Sequence, residues 1–295
     1  MLGTPASAGP GDPAPAALPL QPGDPRRLGA HRLLGRLGEG GQGVVFLGRS
    51  EVTGEHVAVK LFHVPAENDL GGLDTFGQEL EVVRQVARFC TAQVLDWGTL
   101  GDRRFIVSEY VDGPPLSRVV AREGPRSGSA LDRLAIATAT ALVALHDAGV
   151  VHCDLKPQNV LLGTDGPRVI DFGIARALGE AQAVTGRIVG TPAYMAPEQL
   201  EPGELGPPVD VFAWASTMVF SATGLPPFGY ESVPVVLDRI AHHEPDLGGV
   251  EEPLRDLLAA CLAKNPALRP TARQVLDRLV SPAGGTGGTA VTEGA

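Results

Sequence analysis

Between Arg32 and Tyr110 apolar and polar positions mostly alternate in short runs, the period-two pattern of strands, with turns expected at Gly48, Gly54, Gly98 and Gly101. This predicts an antiparallel sheet. One stretch inside it differs. Thr75 and Gln78 have capping-box spacing, and Phe76, Leu80, Val83 and Ala87 then recur at helical intervals through Arg88. From Leu116 onward the helical period dominates and predicts helices over 131–148, 211–223, 233–242, 253–263 and 272–280. A small β-rich part followed by a larger α-rich part implies an α+β chain of two lobes with a cleft between them.

The ends carry no such pattern. The first 25 residues hold seven Pro and four Gly with almost no branched apolar residue, so a disordered tail is expected over 1–30. Residues 281–295, with five Gly, read as a flexible tail. One continuous domain remains over 31–280, a size that fits a chain of 295 residues. Apolar residues at 43% and charged residues at 20% argue for a globular body despite 38 Gly and 26 Pro.

Charge and cysteines narrow the function. A net charge of −10 without a basic cluster excludes the electrostatic footprint of a nucleic-acid binder. Cys90, Cys153 and Cys261 are odd in number and lack CxxC pairing, which excludes a disulfide framework or structural zinc and fits a cytoplasmic protein. The first basic residue is Arg26, so a secretory leader is not expected and the mature chain is expected to start near Met1. The longest uncharged run, 211–230, is interrupted by Ser, Thr, Gly and Pro and reads as a buried core helix ended by Gly224, not a membrane span. The Gly-rich end leaves room for a tether beyond residue 295.

Gly38, Gly40 and Gly43 form a GxGxxG run, by itself a weak signal. The β-like residues 44–48 that follow place it between two strands, not before a helix, so its glycines would let backbone approach a ligand. In the next strand, His56 to Val64, alternation puts Ala58, Lys60 and Phe62 on one face and Val57, Val59 and Leu61 on the other. Lys60, Lys156 and Lys264 are the only lysines among 24 basic residues, so a lysine in Val-Ala-Val-Lys suggests a required point charge. Farther on, Val160–Leu162 and Arg168–Ile170 flank Thr164-Asp165-Gly166-Pro167 as a hairpin, which would bring Asp154, Asn159 and Asp171 together. Two carboxylates and an amide oxygen suit Mg²⁺, and the spare carboxylate can accept a hydroxyl proton.

From about Leu33 to Leu279 the chain resembles a bacterial eukaryotic-type serine/threonine protein kinase, with the Arg-for-Lys, Ala/Gly/Pro-rich usage of high-GC, actinobacterial-like members. The resemblance implies a two-lobed protein-kinase fold: a small antiparallel sheet with one helix as N-lobe (31–109), a hinge (110–114) and a larger, mainly helical C-lobe (115–280). It implies that Leu37, Gly38, Glu39, Gly40, Gly41, Gln42, Gly43 and Val45 cover the ATP phosphates. Lys60 would contact the α and β phosphates, with Glu79 as its partner. Ser108 would be the gatekeeper, and Glu109, Tyr110 and Val111 the hinge that meets adenine. Leu37, Val45, Ala58 and Leu161 would sandwich the ring. Asp154 would be the catalytic base, Lys156 the catalytic-loop lysine, and Asn159 and Asp171 the Mg²⁺ ligands, with Mn²⁺ as an alternative metal.

Further along, Gly190-Thr191-Pro192 and Ala196-Pro197-Glu198 resemble the end of an activation segment. Arg269 would be the ion partner of Glu198, and Asp210 would hold the catalytic loop from behind. Two positions depart from the family pattern: Cys153 where Arg is usual, and Ala215 where Gly is usual. The implied function is ATP- and Mg²⁺-dependent phosphorylation of Ser/Thr hydroxyls on protein substrates, including the chain itself, in signal transduction. A small-molecule phosphotransferase and a pseudokinase binding module are the alternative readings. Oligomeric state, substrate and activating signal are not legible.

Overall fold

The structure, a computed structural model, describes residues 17–65, 80–81, 84, 90–172 and 192–281. Its N-terminal part is a sheet of β1 (Arg27–Leu28), β2 (His31–Gly40), β3 (Gly43–Ser50), β4 (His56–Pro65), β5 (Val94–Leu100) and β6 (Arg103–Glu109), in the antiparallel order β1-β2-β3-β4-β6-β5. Alternation along β3, β4 and β6 gathers Val44, Phe46, Val57, Val59, Leu61, Phe105 and Val107 into one apolar cluster with Leu28 and Leu33. The other face of β4 carries Ala58 and Lys60, as the period-two reading requires. Of the helix expected from Thr75 to Arg88, Leu80, Glu81 and Arg84 are described and helical, and the remainder lies outside the described residues.

Three sequence expectations change. Gly54 and Gly101 do sit in turns, with φ of +76° and +61°, but Gly48 and Gly98 lie inside β3 and β5. Their glycine is explained by packing: a Cβ at Gly98 would come 2.8 Å from the Phe105 ring, and one at Gly48 would come 3.1 Å from Val57. The later hairpin turns at Thr164-Asp165 alone, because Gly166 and Pro167 already belong to its second strand. The tail expected through residue 30 is described from Ala17 onward and meets the sheet at Leu18 and at Arg27–Leu28. Leu18 pairs with Arg36 through two backbone hydrogen bonds of 2.8 and 2.7 Å, and Leu28 is buried in the apolar cluster. Composition hides such a segment, since backbone pairing needs no apolar side chain.

The C-terminal part contains α1 (Leu116–Glu123), α2 (Gly128–Asp147), α3 (Pro208–Thr223), α4 (Val233–His242), α5 (Leu254–Cys261) and α6 (Ala272–Val280), and the hairpin β7 (Val160–Gly163) with β8 (Gly166–Val169). α4 and α6 match the expected bounds. α2 and α3 start earlier than the apolar period shows, and in α3 the reason is Pro208, whose fixed φ suits the first helical turn. α3 is buried almost all round, from Val209 to Val219, and Gly224 ends it in the left-handed region at φ +81° with its N–H on the Phe220 carbonyl. α2 is the one described helix long and apolar enough to cross a bilayer, yet Leu134, Ala135, Leu142 and Leu145 bury it in the shared core. This helix and α3 form the platform on which the loop 150–159 rests.

Candidate active site

The glycine run is a tight hairpin: β2 and β3 pair as far as Gly40 and Gly43, and Gly41-Gln42 make the turn. A side chain at Gly43 would run into the Leu61 carbonyl and the Phe62 backbone, so that glycine is demanded by the neighbouring strand. Gly38 and Gly40 are different. A Cβ at either would meet nothing within 4 Å, so what they leave open is the space above the cleft.

Register then assembles the cleft wall. Val45 pairs with Lys60, Ala58 with Ser108 and Lys60 with Ile106 across β3, β4 and β6. Leu37, Val45, Ala58, Val111 and Leu161 are all half-buried, as walls of an open slot would be. Glu109 donates its N–H to the Gln93 carbonyl at 2.9 Å, which fixes the chain where the two lobes join. A pocket behind Ser108 is lined by Lys60, Ala92, Val94, Ile106, Asp171 and Phe172.

Lys60 is nearly buried. Its Nζ donates to Asp171 Oδ2 at 2.9 Å and to Gln42 Oε1 at 2.9 Å, and it lies 5.4 Å from the centre of the Phe62 ring. The first contact spans the lobes; the second ties the tip of the glycine hairpin to the same ammonium. Glu79, the expected partner of Lys60, lies outside the described residues, as do Gly190 and Thr191.

Across the cleft, Lys156 Nζ donates to both carboxylate oxygens of Asp154 at 2.8 and 2.7 Å. The Asn159 amide nitrogen donates to the Asp154 carbonyl at 2.8 Å, leaving its carbonyl oxygen as the end able to meet a cation. Ile170 N–H bonds to the Asn159 carbonyl at 2.9 Å, so the β7–β8 hairpin returns the chain and sets Asp171 beside Asn159. The resulting donor set is hard oxygen, which fits Mg²⁺ and not a soft metal. Among the described residues no cluster of three His, Cys, Asp or Glu forms a dedicated metal cage. A magnesium ion that keeps waters and shares substrate phosphates does not need one.

Two backbone positions carry strain. Cys153 at φ +63° and Asp171 at φ +60° are the only described non-glycine residues in the left-handed region; the first precedes Asp154 and the second pairs with Lys60. Asp210, fully buried in the first turn of α3, accepts the His152 and Cys153 N–H groups at 2.8 Å each and contacts His146 Nε2 at 2.9 Å. From the other side Gln199 Nε2 donates to the Cys153 carbonyl at 3.0 Å. His152 contacts the Ile170 carbonyl through Nε2 at 3.1 Å and accepts the Asp154 N–H on Nδ1 at 3.3 Å, which selects the neutral Nε2–H tautomer. The sequence reading named Asp210 but missed His146 and Gln199, which no motif spacing singles out.

Glu198 and Arg269 meet as expected, and Ala196–Glu198 are thereby fixed to the C-terminal part. Residues 31–280 match the family profile described as protein kinase domain. The chain is 43% identical over 262 residues to a protein of Thermomonospora curvata named as a probable serine/threonine-protein kinase, PkwA, covering 88% of this chain and 35% of that one. It is 39% identical over 266 residues to the serine/threonine-protein kinase AfsK of Streptomyces coelicolor, covering 90% of this chain and 33% of that one. It thus spans about a third of the length of these curated relatives. Among solved structures, Rad53 residues 1–466 in complex with AMP-PNP superposes with a TM-score of 0.70 at 24% identity, over 84% of this chain and 64% of that one. At that identity the likeness concerns the fold.

Proposed function

The chain belongs to the protein kinase family, in its bacterial eukaryotic-type serine/threonine branch, and on that premise we propose that it transfers the γ-phosphoryl group of ATP to Ser or Thr hydroxyls of proteins in a cytoplasmic signalling role. The observation that carries this reading is the pairing of Lys60 with Asp171 across the cleft from the Asp154–Lys156–Asn159 group.

In this reading ATP lies in the slot between Leu37, Val45 and Ala58 above and Leu161 below, with adenine at the Glu109–Val111 backbone. Lys60 meets the α and β phosphates. Gly38 and Gly40 let backbone N–H groups close over them, because no Cβ stands in the way. Asp154 accepts the proton of the substrate hydroxyl as its oxygen bonds to the γ phosphorus, and the bond to the β-phosphate oxygen breaks to release ADP. Lys156, paired with Asp154, is placed to stabilise charge on the transferring group. Asn159 and Asp171 would hold Mg²⁺, which would supply charge neutralisation on the phosphates.

The test is incubation with γ-labelled ATP, Mg²⁺ and a generic basic protein, beside an Asp154→Asn control. Label in the wild-type reaction alone supports the reading; no label in either, with AMP-PNP binding intact, overturns catalysis in favour of a binding module.

A further inference from the structure

We infer that residues 17–28 act as a strap that positions the nucleotide-covering glycine hairpin, through the chain of contacts Asp24–Arg36–Glu39. The inference rests on the kinase reading, since it concerns how that hairpin meets ATP.

β2 is an unsteady strand. Its pairing with β3 shifts between Leu33 and Gly35 and again between Arg36 and Gly38, so Gly35 and Arg36 lie between two irregularities just before the glycine run. Bulged strands bend at such places. On its outer edge this same segment is paired: Leu18 N–H bonds to the Arg36 carbonyl at 2.8 Å, and Arg36 N–H bonds to the Leu18 carbonyl at 2.7 Å. The fit is close, because a Cβ at Gly35 would come 2.6 Å from the Leu18 carbonyl oxygen. Leu18 itself is 70% exposed, so its side chain does not hold this pairing.

The side chain of Arg36 does the rest. Its Nε and Nη2 donate to the two oxygens of Asp24 at 2.8 and 2.7 Å, a planar fork that a carboxylate matches. Its Nη1 donates to Glu39 Oε2 at 2.8 Å, on the hairpin between Gly38 and Gly40. Asp24 is set for this by a turn in which its Oδ2 accepts the Gln21 N–H at 2.7 Å. The Asp24 and Arg36 side chains are 7% and 12% exposed, so the fork is shielded from solvent screening in a way that most ion pairs are not. At its other end the strap is anchored by Leu28, buried among Leu33, Phe46 and Phe105, and by the Leu33 N–H on the Arg26 carbonyl at 3.0 Å. One guanidinium thus links a segment outside the strand to the loop over the cleft.

The experiment compares wild type, Asp24→Asn, Arg36→Lys, Glu39→Gln and the Asp24→Asn/Glu39→Gln pair, with Arg27→Gln as control, since the exposed Arg27 side chain meets Glu51 and the Gly29 carbonyl and neither Arg36 nor Glu39. KM for ATP, kcat, KM for the protein substrate and AMP-PNP affinity are read together with melting temperature. Asp24→Asn is expected to raise KM for ATP by about fivefold or more, the low end of ordinary coupling between separate sites, with kcat and the protein KM little changed. Arg36→Lys, which keeps charge and loses the fork, should fall between, and Arg27→Gln should match wild type. The double variant should lose less than the product of the single losses, because both contacts run through Arg36. Wild-type KM in folded Asp24→Asn and Arg36→Lys, or a lower melting temperature with KM unchanged, overturns the strap and leaves the kinase reading standing. A wild-type chain that binds no AMP-PNP overturns both.

Discussion

Arg269 holds Glu198 by both ends of its guanidinium, Nη1 to Oε1 at 2.6 Å and Nη2 to Oε2 at 2.8 Å, while its remaining N–H groups reach the carbonyls of Ala263, Pro208 and Lys264. The Arg269 side chain is fully buried and lies 4.9 Å from the centre of the Phe212 ring. Residue 198 ends the segment beside the catalytic loop, and residue 269 precedes α6, so the pair ties two regions that are far apart in sequence.

Removing Arg269 strips the donor from the largely buried Glu198 carboxylate and from three backbone carbonyls, and breaking a buried pair typically costs about 3–5 kcal/mol. Arg269→Ala is therefore expected to lower the unfolding free energy by that amount, and Arg269→Lys to recover only part of it because an ammonium cannot reproduce the fork. Urea titration followed by far-UV circular dichroism checks this. Wild-type stability in Arg269→Ala would remove the pair from the account.

Lys60 and Asp171 make a contact of 2.9 Å that spans the lobes. Losing one preorganised charge costs about 10²- to 10³-fold in rate, so Lys60→Met and Asp171→Asn should each nearly silence phosphoryl transfer. Circular dichroism and a label-transfer assay on the same preparations separate this from misfolding. Wild-type-like turnover in either folded variant contradicts the assignment.

The parts of this site that the sequence showed are those where chemistry and period coincide. Lys60 stands out as one of three lysines and its face follows from alternation; Asp154, Asn159 and Asp171 lie at both ends of a hairpin whose turn residues are visible. Gly48 and Gly98 misled because a glycine demanded by a facing Phe105 or Val57 looks, in one dimension, the same as a glycine in a turn. The N-terminal segment was hidden for another reason. Its pairing uses backbone atoms, and Asp24 and Arg36 are one of many opposite-charge combinations available to 34 acidic and 24 basic residues. Gln199 and His146 act on backbone or on a buried carboxylate from a distance that only the fold closes.

The strained Cys153 backbone is held on one side by Asp210 and on the other by Gln199. Asp210→Asn keeps the shape but turns an NH₂ toward a backbone N–H that needs an acceptor, so it should cost about 1–3 kcal/mol in stability and also lower kcat. Gln199→Ala removes only the outer hold. It should reduce kcat severalfold with KM for ATP unchanged, since in the proposed reading residues 152–154 carry the base and not the nucleotide slot. Steady-state kinetics in both substrates tests this, and a change confined to KM for ATP would refute it.

Burial pushes the Cys90 thiol up to about 11 and the Cys261 thiol to about 12, from an ordinary 9.0. Above about pH 9 the unfolded chain releases these protons while the folded chain keeps them, so the unfolded state binds fewer protons and stability falls as pH rises from 9 toward 11. Melting temperature should drop over that range, and by less in Cys90→Ala. Iodoacetamide at pH 8 should label the half-buried Cys153 before either buried thiol. Peptide mass spectrometry that finds Cys90 or Cys261 labelled first would contradict the burial argument.

The last prediction concerns what Cys153 replaces. Relatives by resemblance carry at this position an arginine, a permanent charge able to grip a phosphate on the activation segment, and a thiol is a weak donor that cannot make that contact. Among the described residues, the backbone at 152–154 is held by Asp210 and Gln199. The geometry of Asp154 is therefore expected to depend less on a phosphate than where the arginine is present. Thr185, in the small-residue run Ala183-Val184-Thr185-Gly186, is the expected site of self-phosphorylation within residues 173–191, which lie outside the described residues, and mass spectrometry of the 171–198 peptide after incubation with ATP reads it directly. Thr185→Ala is expected to keep kcat/KM within a few-fold of wild type. A loss approaching about 10³-fold, the scale of a missing charge clamp, would show that another residue such as Arg176 or Arg187 supplies the absent charge and that the switch operates without the arginine.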